Sequence, residues 1–265
     1  MKTIVLANAK GGTGKTTCAV NLSACLAHHH GKRVLGIDLD PQGNFGISFG
    51  VDPRQLTHTA YHLLTAESPD VRSYIKEIKP NLHLIPNAIA PDLENRLEAS
   101  HNRDSLLRLR LRALKGSYDY VVIDTPPAMR TATMNAIVAA DEVIVVVDCG
   151  FYALYGLTDL MRQIARVSDA YEKDDIVIRG LLNMFNRGQN LDRDVKTEVG
   201  EFFGGLMIQT IIHKNVKIAE AASASQPIIE FEPTAPGAFD FLKLSKELLS
   251  EYEPETQKRS ATRAK

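Results

Sequence analysis

Short apolar runs alternate along this chain with longer stretches in which apolar residues recur every three or four positions. The runs fall at 2–8, 33–38, 81–86, 119–124, 142–148, 176–184 and 206–212. A short apolar run without a polar face is the form taken by a strand buried on both sides of a parallel sheet. Between the runs, helical spacing predicts helices near 15–30, 55–65, 92–99, 103–115, 130–139, 153–171, 191–203, 216–223 and 236–252. Gly31 and Gly116 follow two of these stretches and suit helix C-terminal stops. The alternation predicts an α/β fold, a doubly wound and mostly parallel sheet flanked by helices. No repeat and no Gly/Ser linker interrupts it, so residues 1–252 read as one domain. From Glu253 the periodicity vanishes, and 253–265 (EPETQKRSATRAK) reads as a polar, basic, disordered tail.

Composition narrows the classes. With 265 residues, 44% hydrophobic and 24% charged, the chain can bury one sizeable α/β core. No apolar run reaches the roughly 18 residues that a membrane-spanning helix needs. Met1 leads directly into the first run, which predicts no signal peptide. Cys18, Cys25 and Cys149 lack metal-ligand spacing. The first two, on one predicted helix, would be separated by a rise of about 10 Å, too far for a disulfide. All three read as small core hydrophobes in a reducing cytoplasm. His28, His29 and His30 are consecutive, and on a helix their side chains project about 100° apart, a poor chelate and a good solvated helix end. A net charge of −1 gives no general attraction to nucleic acid, so any DNA contact needs a local patch, or one assembled by dimerisation.

The chemistry concentrates after the first strand. Residues 10–17 read Lys-Gly-Gly-Thr-Gly-Lys-Thr-Thr, and Ala9 stands where the strict phosphate-loop pattern has glycine. Gly11, Gly12 and Gly14 let the backbone curl so that the amides of this segment, Thr13 included, point at one phosphate chain. Lys15 can then reach the β- and γ-phosphates, and Thr16 can ligate Mg²⁺. Thr17 and the apolar-periodic residues after it place those phosphates at a helix N-terminus. Lys10 is left over, a second lysine at the mouth of the loop.

Two more strands end in carboxylates. In Ile37-Asp-Leu-Asp-Pro41, Asp38 and Asp40 are positioned for a Mg²⁺-bound water or an attacking water, although an Asp-Pro turn would look the same. In Val121-Val-Ile-Asp-Thr-Pro-Pro127, Asp124 follows an apolar run as a Walker B aspartate does, and Pro126-Pro127 stiffens a segment suited to sensing the γ-phosphate.

KGGTGKTT at 10–17, IDLDPQGN at 37–44 and VVIDTPP at 121–127 together resemble the ParA/MinD family of deviant Walker-A ATPases. NLSACLA at 21–27 and NVKIAEAASASQPII at 215–229 are similar to later blocks of its small Soj-like branch, which includes carboxysome-positioning McdA-type members. The resemblance implies a P-loop NTPase fold and ATP and Mg²⁺ as cofactors. It implies catalytic roles for Lys10, which crosses a dimer interface to the partner's phosphates, for Lys15, and for Asp40, which orients the attacking water. Thr16, Asp38 and Asp124 are the implied metal-site residues, while Asn183 and Asn215 lie in blocks that line the adenine in relatives. ATP would pair two copies, and slow hydrolysis stimulated by a ParB-like or other cargo adaptor would separate them. His213-Lys214-Asn215 stands where relatives often carry Pro-Arg-Asn, a departure that touches base contact.

ParA relatives bind nonspecific DNA as dimers, and MinD relatives bind membrane through a C-terminal amphipathic helix. The tail Lys258–Lys265 has no large apolar side chain, which argues against a membrane tether. For DNA, Lys214 and Lys217 lie in the block that resembles the family's basic patch, with Arg187 and Arg193 as contributors. The expectation is a cytoplasmic, nucleoid-associated ATPase that positions a plasmid, a chromosome origin or a protein organelle. The alternatives are a MinD-like membrane-associated ATPase and a small-molecule kinase or ligase. An iron–sulfur reductase would need two cysteines per subunit at the dimer axis, and Cys149 has no evident mate.

Overall fold

A computed structural model describes residues 1–100, 103–150, 154, 156–173 and 175–253. Its strands are β1 Lys2–Ala7, β2 Val34–Asp38, β3 Lys76–Lys79, β4 Leu82–Ile85, β5 Tyr120–Asp124, β6 Glu142–Asp148 and β7 Val177–Asn183. They form one sheet in the order β3-β4-β2-β5-β1-β6-β7. Every pairing is parallel except β3 with β4. The helices are α1 Lys15–Ala24, α2 Asn44–Ile47, α3 Ala60–Thr65, α4 Pro91–Ala99, α5 Leu106–Arg112, α6 Thr131–Ala139, α7 Leu157–Ala170, α8 Asn190–Phe203, α9 Val216–Ser223, α10 Ile228–Phe231 and α11 Pro236–Tyr252.

The apolar runs have no polar face because both faces of the sheet are covered. Alternate side chains of β1 illustrate this: Ile4 and Leu6 pack with α1 and α11, while Val5 and Ala7 pack with α6 and α7. The doubly wound, mostly parallel architecture is therefore the one that the pattern predicts. The central position of β1 between β5 and β6 brings the C-terminal ends of β2, β5, β1 and β6 side by side. Ligands of open α/β sheets bind in the crevice outside such ends.

Three local differences have physical reasons. The 206–212 run is no strand: it touches β7 and its end only through isolated bridges at Met207 and His213. Between them, the amides of Gln209 and Thr210 turn away to the Glu247 carboxylate on α11, at 2.6 and 2.8 Å. Ile208 and Ile212 are buried, which is what made the run look strand-like. β3 escapes the pattern because three of its four residues are charged and it lies at the sheet edge. The helix predicted over 15–30 is α1 followed by a π turn at Cys25–His29.

Cys18, Cys25 and Cys149 are buried and unpaired, and burial pushes the thiols of Cys25 and Cys149 up to about 12. The three histidines part company: His28 faces Glu230 at 2.8 Å and His30 faces Ser245 at 2.9 Å. Among the described residues, no three His, Cys, Asp or Glu side chains form a metal cluster, and no helix is long and apolar enough to cross a membrane. Of the expected tail, Glu253 is anchored by Lys32 and Tyr120, both at 2.6 Å. Residues 254–265, including Lys258–Lys265, lie outside the described residues, as do residues 153 and 155 of the helix predicted over 153–171.

Candidate functional site: a two-lysine phosphate loop

The loop between β1 and α1 is built around left-handed glycines. Gly12 and Gly14 have φ of +77° and +88°, conformations that residues with a Cβ seldom adopt. At position 14 a Cβ would also lie 2.2 Å from the Asn183 side-chain nitrogen. That nitrogen donates to the Thr13 carbonyl at 2.7 Å, so the end of β7 holds the loop from behind. Gly14 supplies no side-chain cap to α1, which leaves the first amides of that helix aimed outward, ready for an anion.

Lys15 and Lys10 leave this loop in different directions. Lys15 is buried, and its ammonium donates to the Lys10 carbonyl at 3.2 Å. Burial holds its pKa down, opposed by the charges of Asp124 and Asp40. Lys10 is 43% exposed and pairs at 2.7 Å with Asp148, the last residue of β6. Its own amide donates to the Asn8 side chain at 2.9 Å, and Asn8 in turn donates to the Val146 carbonyl at 2.7 Å. The outer lip of the loop is thus tied to β6, and its inner lysine faces the loop.

The carboxylates divide their work. Thr16 donates its hydroxyl to Asp124 at 2.6 Å, while the other Asp124 oxygen is buried without a partner. Asp38, beside Asp124 in register, spends both oxygens on backbone: one accepts from Asp40 N at 3.0 Å, the other from Phe45 N at 3.0 Å. Asp40 accepts from Gln42 N at 2.9 Å and stands at the edge of the cleft. Burial raises the carboxyls of Asp38 and Asp124 above the usual range; Asp124's charge adds to the rise at Asp38, and Asp40's charge at both. An orphaned buried carboxylate oxygen, a hydroxyl beside it and a buried lysine behind them fit a divalent cation bound to a phosphate chain. The buried, unpartnered Thr13 hydroxyl adds a further polar atom in the loop. Across the cleft, Pro127 packs 3.7 Å from where a Cβ on Gly11 would lie, so the segment after β5 rests against the loop.

Lys10, Gly11, Gly12, Thr13, Gly14, Lys15, Thr16, Thr17, Asp38, Asp40, Asp124 and Asn183 therefore gather at one end of the sheet. Asn215 is the N-cap of α9, where its side chain accepts from the Lys217 amide at 2.9 Å. Arg187 and Arg193 line a separate cavity of about 660 Å³ with Lys196, Lys243 and His213. There the Arg187 guanidinium donates to His213 at 3.1 Å, and His213 faces Asp240 at 3.0 Å. Lys217 is paired with Glu220 at 2.7 Å, and Lys214 is exposed. Sequence reasoning missed Asp148, Asn8, Lys196 and Lys243. A signal for Asp148 existed: like Asp38 and Asp124, it ends an apolar run.

Comparison with known proteins identifies relatives across most of the chain. The AAA domain family matches residues 1–178. The sporulation initiation inhibitor protein Soj of Bacillus subtilis is 39% identical over 250 residues, covering 93% of this chain and 98% of Soj. The chromosome partitioning protein ParA of Caulobacter vibrioides is 38% identical over 253 residues, 94% of each chain. Among solved structures, cobyrinic acid a,c-diamide synthase from Mycobacterium smegmatis with an ATP analogue and magnesium superposes with a TM-score of 0.82. It is 27% identical and covers 96% of each chain.

Proposed function

The chain belongs to the ParA/MinD family of ATPases, and from that premise we propose a complete nucleotide cycle for it. It is a ParA-like positioning ATPase that uses ATP and Mg²⁺. In the cycle, ATP joins two copies, the pair binds DNA irrespective of sequence, and hydrolysis stimulated by a cargo adaptor separates it. The observation that carries this reading is the divergence of the two lysines, one turned into its own loop and one on the outer lip. Two ATP molecules enclosed between two copies concentrate negative charge that one buried lysine per site does not neutralise, and an outer lysine reaching across supplies the missing cation.

Within each copy, the amides of residues 11–15 and the Lys15 ammonium hold the phosphates. Thr16 and Asp124 would hold Mg²⁺, with Asp38 as the acidic neighbour whose oxygens are spent on backbone amides, and the ion's charge would offset that of the phosphate oxygens. Asp38 stiffens the turn that carries Asp40 by accepting a hydrogen bond from its backbone amide, and Asp40 orients the attacking water and takes up its proton. Asn183 fixes the back of the loop, and Asn215 lies at the base-binding end. The cargo is a chromosome region, by likeness to Soj and ParA, and the adaptor is a protein of the kind that serves such partition ATPases.

Binding to a long random-sequence duplex, with ATP, ADP or no nucleotide at two salt concentrations, tests the cycle. Salt-sensitive binding that requires ATP is expected. A sound ATP-bound dimer that ignores DNA would reject the DNA step and favour a small-molecule role like that of the cobyrinate synthase.

A further inference from the structure

Asp148 is the one strand-terminal aspartate of this cleft that the cycle above does not use. It stands at the end of β6, next to β1, and its Oδ2 accepts from the Lys10 ammonium at 2.7 Å. Its other oxygen is buried without a partner, so Lys10 is the only side chain that its carboxylate engages among the described residues. The surroundings are shaped to the pair: a Cβ on Gly150 would lie 2.9 Å from Asp148 Oδ2 and 3.2 Å from Lys10 Nζ. Among the described residues, Asp148 is the one carboxylate paired with the Lys10 ammonium.

We propose that Asp148 is a positioning residue that restrains Lys10 on its own protomer and so sets the threshold for ATP-dependent pairing. The inference rests on the trans role of Lys10 proposed above. For that lysine to meet the partner's phosphates, its ammonium must leave Asp148, because both anions compete for the same three N–H donors. The nucleotide phosphates win when two are enclosed, since they carry more charge in a more desolvated place. Until then, the Asp148 carboxylate lowers the gain from each encounter and keeps ATP-bound single copies from pairing prematurely. An ion pair of this exposure is modest, about threefold in an equilibrium. A symmetric dimer releases two of them, so the combined effect on the dimerisation constant is about tenfold.

The test follows wild type, Asp148→Asn and Gly150→Ala by sedimentation with a slowly hydrolysed ATP analogue and Mg²⁺. In parallel, the rate of acylation of the Lys10 amine in nucleotide-free protein is read by mass spectrometry against the other lysines. Asp148→Asn is expected to pair at about tenfold lower protein concentration. Gly150→Ala, which crowds the pair without changing charge, should shift pairing in the same direction. Lys10 should be acylated severalfold faster in both variants. A variant that merely damages the fold pairs less well, so it cannot imitate this result. If wild type pairs with the analogue but Asp148→Asn pairs equally or less well, or if Lys10 acylation does not change, the restraint is wrong while the dimer reading stands. If wild type itself does not pair, both fall together.

Discussion

Lys10 and Lys15 are chemically identical residues on one loop, and their surroundings alone separate their duties. Lys15 is buried with its ammonium on the Lys10 carbonyl of the loop, so Lys15→Ala should abolish nucleotide binding. Lys10→Ala should leave nucleotide binding by a single copy within about twofold but reduce pairing and hydrolysis by at least about tenfold. Wild-type hydrolysis in Lys10→Ala would remove the trans role. The paired strand-end carboxylates allow a second prediction. Burial, and charge that each takes from its acidic neighbours, raise the Asp38 and Asp124 carboxyls, so each binds its proton more tightly folded than unfolded. Such groups support folding fully below their unfolded pKa of about 4 and surrender that support as pH rises through the folded value. Nucleotide-free protein should therefore lose stability between about pH 4 and neutrality from this source. Asp124→Asn keeps the acceptor for Thr16 while removing the charge. At neutral pH without nucleotide it should melt about 2–4 °C higher, roughly 1 kcal/mol, with a flatter pH profile. Hydrolysis with Mg²⁺ should collapse in the same variant. A melting point equal to wild type at neutral pH would show that the two carboxylates do not strain the fold.

At the level of elements, legibility followed burial. Six strands could be read because each is an apolar run covered on both faces, and the helices from α4 onward, except the short α10 that no periodic stretch predicts, matched their periodic stretches closely. β3 was illegible because an exposed, charged edge strand carries no burial pattern, and 206–212 misled because two buried isoleucines imitate one. In the site, the loop and two carboxylates were legible from residue type and spacing. The Lys10–Asp148 pair was not, because its partners are 138 positions apart and meet only once β1 and β6 are paired. The same limit hid the network that anchors α11. Glu142 on β6 is only 1% exposed and has Lys2 at 3.0 Å and Arg179 at 3.8 Å. Arg179, on β7, makes two bonds to Glu251 of α11, at 2.6 and 2.9 Å. Arg179→Ala leaves a buried carboxylate with one remaining cation and should cost about 2–4 kcal/mol in urea unfolding. Glu251→Ala removes a half-exposed partner and should cost no more than about 1 kcal/mol. Equal costs would mean that the clasp on α11, not the buried charge of Glu142, dominates.

For the whole molecule, a net charge of −1 means that the proposed DNA binding would have to come from where cations are gathered, not from how many there are. Arg187, Arg193, Lys196 and Lys243 share one concave surface with a single carboxylate, Asp240, whereas Lys217 is already neutralised by Glu220. The sequence block that carried the resemblance is thus a weaker electrostatic candidate than the groove beside it. In the proposed cycle, pairing two copies would double whatever cations face the DNA and would make the duplex a reader of nucleotide state. Arg187→Ala or Lys196→Ala should therefore weaken binding to random duplex at all sequences and lower the log–log salt slope by about 2, one phosphate contact per copy. Lys217→Ala should change the slope by less than about 0.5. Sedimentation with the ATP analogue, run on the same samples, separates lost DNA contact from lost pairing. A slope that drops for Lys217→Ala and holds for Lys196→Ala would move the DNA-facing surface from the α8 groove to α9. The symmetry axis of the dimer would then have to bring the two α9 helices, not the two grooves, onto one side.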